Sequence, residues 1–211
     1  MKSAVFTAFG LIQNVRTNSM NQSRKLLFST LLLLICSFTS VYGQATQIST
    51  RDTLLNQEQL SLYRQRYWDS LPKPVGWVND FEGLFTLEEE DSLNKIIGDF
   101  EKNTGIEIAI ITIDTLFISK ENFDDLILHF ANTWGVGKKY KDNGITIGIS
   151  KGHRKMRVTN GIQMENIFSD AKTKYIIVNY FIPQYKEGEY FQGTLTGLNE
   201  IIKHLRTKFK K

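Results

Sequence analysis

Ile106 to Ile113 places apolar side chains on both faces of any strand it forms: Ile106, Ile108 and Ile110 on one, Ala109 and Ile111 on the other. Successive residues of a strand point to opposite faces, so a strand apolar on both must be covered on both. The run is too short for a buried helix of ordinary length. It requires a central strand in a sheet with helices packed on each side. A second stretch, Trp134 to Ser150, fits the same demand. There Gly135 and Gly137 can stop a helix, Asp142-Asn143-Gly144 makes a turn, and Ile145, Ile147 and Ile149 alternate with Thr146, Gly148 and Ser150 as one closely packed strand.

Between these strands the apolar period changes to that of helices. Thr86-Leu87-Glu88-Glu89 is a capping box, and Leu87, Leu93, Ile96, Ile97 and Phe100 follow near helical spacing until Gly105. Ser119 is placed to begin a helix with Phe123, Leu126, Ile127, Phe130 and Trp134 on one stripe, and closing that stripe should bury Trp134. Lys151-Gly152-His153-Arg154 reads as a tight turn into Met156-Arg157-Val158-Thr159, an antiparallel hairpin, so the sheet is expected to be mixed. Ser169 begins a helix that Pro183 should end, and Tyr190 to Phe209 forms a last helix with Leu195, Leu198, Ile201, Ile202 and Leu205 inward. Val78-Asn79-Asp80 with Gly83 reads as a short loop. The expected fold is α/β, a three-layer α/β/α sandwich around a mixed central sheet.

The N-terminal part is different in character. Arg24 and Lys25 precede an apolar run from Leu26 to Phe38, followed by Val41 and Gly43 at the small-residue positions of a cleavage site. This is the layout of a secretory signal peptide, and the run is shorter than the roughly 20 residues of a membrane span. The residues before Met20 do not belong to that layout, which makes Met20 the expected start. Residues 1–43 hold four of the 26 basic residues and none of the 22 acidic ones, so the exported chain has 22 of each. Its neutrality removes nucleic acid as a reading of the sequence pI of about 9.0. Cys36, the one cysteine, lies in the apolar run behind Ile35, which is too large for a lipoprotein cleavage site. The mature chain then has neither thiolate nor disulfide chemistry. Residues 44–74 form a polar extension expected to be helical and broken by Pro72 and Pro74, with the domain at 75–211. Tyr63, Tyr67 and Trp68 on that extension either pack back onto the domain or present a docking surface.

Most catalytic signatures are absent: there is no G-x-S-x-G elbow, P-loop, G-x-G-x-x-G or H-E-x-x-H motif. The histidines His129, His153 and His204 are far apart in the chain. What remains is oxygen chemistry. Asp80, Asp142, Asn143 and Asp170 all stand at loop or helix-entry positions, and carboxylates, amide oxygens and backbone carbonyls are the ligands of hard cations. The same residues also suit Asx turns and the first turn of a helix, and residue types alone favour that account.

Val78-Asn79-Asp80, Gly83, the capped acidic helix at Thr86 to Glu90, Thr104-Gly105, Trp134-Gly135-Val136-Gly137, Lys141-Asp142-Asn143-Gly144, Gly161, Glu165, Asp170, Pro183 and Gly188-Glu189-Tyr190 with Gly193 together resemble the TPM domain family over about residues 75 to 206. The resemblance implies an α/β/α sandwich, export or membrane association, and a divalent cation, calcium or magnesium, in the strand-end loops. It maps that cation onto Asp80, Asp142, Asn143 and Asp170. Where relatives usually carry G-Y-G-L-E-G, this chain has Gly161-Ile162-Gln163-Met164-Glu165-Asn166, losing two glycines and an aromatic residue.

The expected function is therefore an exported, periplasmic or secreted module that assists assembly or maintenance of an envelope or membrane protein. The alternative location is the membrane, through an uncleaved signal or a lipidated Cys36. The alternative function is a weak metal-assisted acid phosphatase on phosphomonoesters, with Lys138, Lys139, Lys141 or Arg154 as phosphate clamps.

Overall fold

The computed structural model describes residues 56–137 and 142–209. The signal-peptide segment, Cys36 and Lys138, Lys139 and Lys141 lie outside the described residues. Gln59 to Lys211 belong to one compact unit.

The strands are β1 (Val78–Asp80), β2 (Ile108–Thr112), β3 (Ile145–Ser150) and β4 (Lys155–Asn160), in the spatial order β1-β2-β3-β4. β1, β2 and β3 are parallel, with Val78 opposite Ile110 and Ile110 opposite Ile147. β4 returns antiparallel to β3, Ile145 facing Asn160 and Ser150 facing Lys155. The sheet is mixed, as the hairpin spacing requires. Val78-Asn79-Asp80 corrects the loop reading: it is an edge strand too short to show a period in its sequence.

The helices are α1 over residues 56–69, α2 (Leu87–Thr104), α3 (Phe123–Trp134), α4 (Ile162–Glu165), α5 (Asp170–Ile176), α6 (Ile182–Lys186) and α7 (Tyr190–Phe209). α2 begins with the full capping box, Thr86 Oγ1 accepting from the Glu89 amide and the Glu89 carboxylate accepting from the Thr86 amide, and it ends at Gly105 in the left-handed region. Leu87 is the exception on that helix: at its first position it is 77% exposed. α3 starts later than Ser119; Ser119 Oγ instead accepts from the Asn122 amide in the turn before it.

Alternation along β2 divides the core. Ile108 and Ile110 join Leu93, Ile97 and Phe100 of α2, Ile145, Ile147 and Ile149 of β3, and Leu198, Ile201 and Leu205 of α7. Ile111 turns to the other face and meets Phe123, Leu126, Ile127 and Phe130 of α3. Both faces are dry, as a doubly apolar strand demands. α3 lies directly on β3 at Gly148, where a Cβ would stand 2.3 Å from Ile127 Cγ1. Glycine is what allows the helix this close.

α1 packs on the outside of α3. Tyr67 stacks on Phe117 with ring centroids 4.5 Å apart, and Trp68 stacks on His129 at 4.5 Å. The aromatic residues of the extension thus pack back onto the domain. Trp134 is half-buried rather than core: its ring stands edge-on to Phe130 and its Nε1–H donates to Pro72 O at 2.9 Å, pinning the strap between α1 and β1.

Pro183 does not end a helix. It sits in the first turn of α6, which follows α5 through a π-helical segment, Ile177–Phe181. Proline lacks a donor and crowds the carbonyl four residues before it; widening the preceding turn lets the helix pass. Among the described residues no helix is long and apolar enough to cross a membrane.

Candidate functional site

Because β1, β2 and β3 are parallel, their first residues share one edge of the sheet and their last residues the other. Asp142 and Asn143 enter β3 at the first edge. Asp80 ends β1 at the second, in register with Thr112, which is in register with Ile149. Ile149 is four residues past Ile145; at about 3.3 Å per residue the two edges are about 13 Å apart before the Asp142 turn is reached. Convergence of Asp80 with Asp142 and Asn143 is therefore not what the fold provides. A loop after one parallel strand and a loop before another necessarily lie at opposite ends.

The first edge is built from backbone meeting backbone. Gly137, at φ 81°, lies against Gly144 so closely that a Cβ would stand 2.0 Å from the Gly144 nitrogen. Gly161 lies on the Asp142 carbonyl, where a Cβ would be 2.1 Å away. The Gly161 amide donates to Gly144 O at 2.8 Å and the Gln163 amide to Asp142 O at 3.3 Å. Asp142 holds φ 58°, a left-handed conformation that Asp and Asn tolerate better than most residues. Glu107, leading into β2, accepts from the Gly137 amide.

Two carboxamides occupy this edge. Asn143 Nδ2 donates to Gly105 O at 2.9 Å, and Asn160 Nδ2 donates to Phe168 O at 3.0 Å and Thr173 Oγ1 at 3.1 Å. Among the described residues, Oδ1 of each is buried with no hydrogen-bond partner. Asn160 lies opposite Ile145, on the face covered by α2 and α7, and Asn143 reaches the C-terminal end of α2 through Gly105. Asp170 opens α5 just after Phe168, the residue tied to Asn160, and Ser169 Oγ caps that helix by accepting from the Lys172 amide at 3.4 Å. The structure thus brings the loops of Asp142, Asn143 and Asp170 to one edge and leaves Asp80 out. Asn160 is the addition that sequence reasoning missed; Asn160-Gly161 signalled only a turn.

At the second edge the acidic groups hold the fold. Asp80 accepts the Thr112 hydroxyl through Oδ1 and the Phe85 amide at 2.8 Å through Oδ2. Glu82 accepts the Lys151 amide at 2.7 Å and the Gly152 amide at 2.8 Å, fastening the β3–β4 turn. Burial pushes the Glu82 carboxyl above its ordinary range; the two amides oppose this, and the charges of Asp114 and Asp80 add to it. The imidazoles are also committed. Nε2–H donates to Trp68 O in His129, to Ile118 O in His153 and to Ile167 O in His204, at 3.0, 2.9 and 3.1 Å. Among the described residues no three side chains of His, Cys, Asp or Glu gather closely enough to hold a metal on their own.

Residues 78–204 match the family model described as TPM domain. Two solution NMR structures are similar. The N-terminal domain of a protein from P. gingivalis is 24% identical, with a TM-score of 0.58 over 64% of this chain and 84% of that one. The BA42 protein from Bizionia argentinensis is 22% identical, with a TM-score of 0.53 over 61% of this chain and 86% of that one. At these identities what they establish is the fold. No match was found among curated proteins.

Proposed function

The chain belongs to the TPM domain family, and from that premise we propose that it is an exported accessory module that assists assembly or maintenance of envelope proteins and carries a divalent cation, calcium before magnesium, at the edge where β3 begins. The observation that supports a binding module over an enzyme is how the reactive side chains are spent. Each imidazole donates to a backbone carbonyl, and Asp80 and Glu82 accept amides and a hydroxyl that hold loops together. A hydrolase needs a nucleophile with a base beside it, or a metal-bound water. The hydroxyl–carboxylate pair described at the second edge, Thr112 with Asp80, is closed to a substrate: Thr112 is fully buried and also accepts from the Glu82 amide.

The cation reading is supported by the orphaned oxygens of the first edge. A buried carbonyl oxygen without a partner costs about 1–3 kcal/mol, and a hard cation is one of the groups that would satisfy it. Asn143, Asn160, Asp142 and Asp170 are the residues that would hold it; Asp80 is not among them. Bound there, the ion would neutralise the two carboxylates and tie the β3 entry to the start of α5.

Export rests on Arg24, Lys25 and the apolar run ahead of Gly43. Terminal sequencing of the protein from its native envelope should read a chain beginning near residue 44; an intact N-terminus in the cytosol contradicts it. The competing activity is a weak metal-assisted phosphatase. Purified protein with a generic phosphomonoester, with and without calcium or magnesium, separates the two. Turnover no greater than the blank is expected, and metal-dependent turnover abolished by Asp142→Ala overturns the module reading.

A further inference from the structure

β4 has a strand partner on one side only, so among the described residues its outer edge is unpaired. A helical segment runs alongside it in the opposite direction. Thr173 of α5 meets Asn160 at the end of β4, whereas Ile182 of α6 shares a cavity with Met156 at its beginning. Tyr175 and Val178, about two turns and one turn before Ile182, are 51% and 52% exposed. Where β4 begins, this open edge meets a cavity of about 510 Å³ lined by Lys155 and Met156 of the strand and Ile182 of the helix.

That cavity has a cationic rim and an apolar floor. Lys151, Arg154 and Lys186 stand around Met156, Ile182 and Tyr190. Lys155, also at the rim, is spent: its Nζ lies 3.1 Å from Asp124 and donates to Lys120 O. Lys151 Nζ lies 5.6 Å over the Tyr190 ring, and among the described residues neither it nor Arg154 nor Lys186 forms an ion pair. Glu82 accepts from the Lys151 and Gly152 amides of the β3–β4 turn. Three cations without carboxylate partners over an apolar floor call for an anion joined to an apolar group. An open strand edge leading to them calls for extended backbone.

We propose that the open edge of β4 and this cavity bind the C-terminal segment of a partner protein as an added strand antiparallel to β4. The free α-carboxylate is held by Lys151, Arg154 and Lys186, and the last side chain, aliphatic or aromatic, rests on Met156, Ile182 and Tyr190. Main-chain hydrogen bonds to β4 supply affinity that is indifferent to sequence, and the cavity selects a chain terminus with an apolar end. Direction follows from the cavity lying at the first residue of β4: a strand whose C-terminus reaches it must run opposite to β4. This names the partner chemistry for the accessory-module reading and rests on it.

The test uses heptapeptide pools, degenerate except for a last Leu, Val or Phe, made once with a free carboxyl and once amidated, titrated into the ¹⁵N-labelled protein. Expected are saturable shifts of the amides of residues 151–159 with the free acids, weakened at least tenfold by amidation. The double variant Arg154→Asn with Lys186→Gln should weaken them as much. Arg154 sits at φ 51°, which asparagine tolerates, and both side chains are exposed, so the variant keeps the fold. Absence of shifts from every pool, or equal binding of acid and amide, overturns the proposal. Capture of envelope proteins by the wild type that survives the double substitution also overturns it while leaving the module reading intact. Peptide binding by a protein that captures no envelope partner supports the peptide site and sinks the module.

Discussion

Gly148→Ala tests the closest packing of the sandwich. The added Cβ would lie 2.3 and 2.4 Å from Ile127 Cγ1 and Cδ1 and 2.9 Å from Cγ2, with the whole Ile127 side chain inaccessible to solvent. α3 must therefore rise from β3 or Ile127 must leave its rotamer. Such overpacking costs about 1–3 kcal/mol, and replacing a strand glycine by alanine returns about 0.5–1 kcal/mol of conformational entropy. The net expectation is a loss of about 1–2 kcal/mol in urea unfolding at unchanged m-value. Ile127→Ala alone should cost about 2–5 kcal/mol by emptying the same space. In the double variant the new methyl occupies room the isoleucine vacated, so the two losses should fall short of their sum by about 1 kcal/mol or more. A Gly148→Ala protein as stable as the wild type, or strict additivity, would refute the contact between α3 and the sheet.

Two further outcomes follow from the same geometry. Trp134→Phe keeps a ring against Phe130 but removes the donor to Pro72 O, so it should lower stability by about 1 kcal/mol in the same assay, and no change would mean the strap is held by other contacts. Glu82 has a folded-state pKa above its ordinary value of 4.5, so the folded protein holds that proton more tightly than the unfolded chain and ionisation costs stability. The advantage of the wild type over Glu82→Gln should shrink as pH rises from 4.5 through the raised value, measured by unfolding across that range; an advantage that grows with pH contradicts the assignment.

Much of the fold is legible because burial imposes periods on the sequence. The doubly apolar Ile106 to Ile113 announces a covered central strand, and the Thr86 box and Gly105 delimit α2 by capping chemistry that is local. β1 was not legible: in Val78-Asn79-Asp80 the strand state comes from pairing with Ile110 to Thr112, a contact no three-residue window contains. Pro183 misled for a similar reason, since the π-helical segment that accommodates it depends on Phe181 and Ile176 packing into the core. Of the candidate cation ligands, Asp142, Asn143 and Asp170 stand in loops of one edge of the sheet, and only residue type groups Asp80 with them. Which edge of a parallel sheet a loop occupies depends on whether it precedes or follows its strand, and the sequence of Val78-Asn79-Asp80 shows no strand for Asp80 to end. Asn160 was missed because its buried, unpartnered Oδ1 is a property of the packed edge and not of the Asn-Gly pair.

The proposed hard cation where β3 begins is held by Asp142, Asn143, Asn160 and Asp170 without Asp80. Calorimetric titration of calcium into the metal-stripped protein tests it beside the single variants Asp142→Asn, Asp170→Asn and Asp80→Asn. Asparagine keeps the left-handed turn at Asp142 and the side-chain shape at the other two positions while removing the charge; at Asp80 it also replaces one of the two oxygens that accept from Phe85 and Thr112. The account predicts saturable binding by the wild type, affinity lowered at least tenfold by Asp142→Asn and by Asp170→Asn, and affinity unchanged by Asp80→Asn. Absence of binding, or a loss confined to Asp80→Asn, would contradict it.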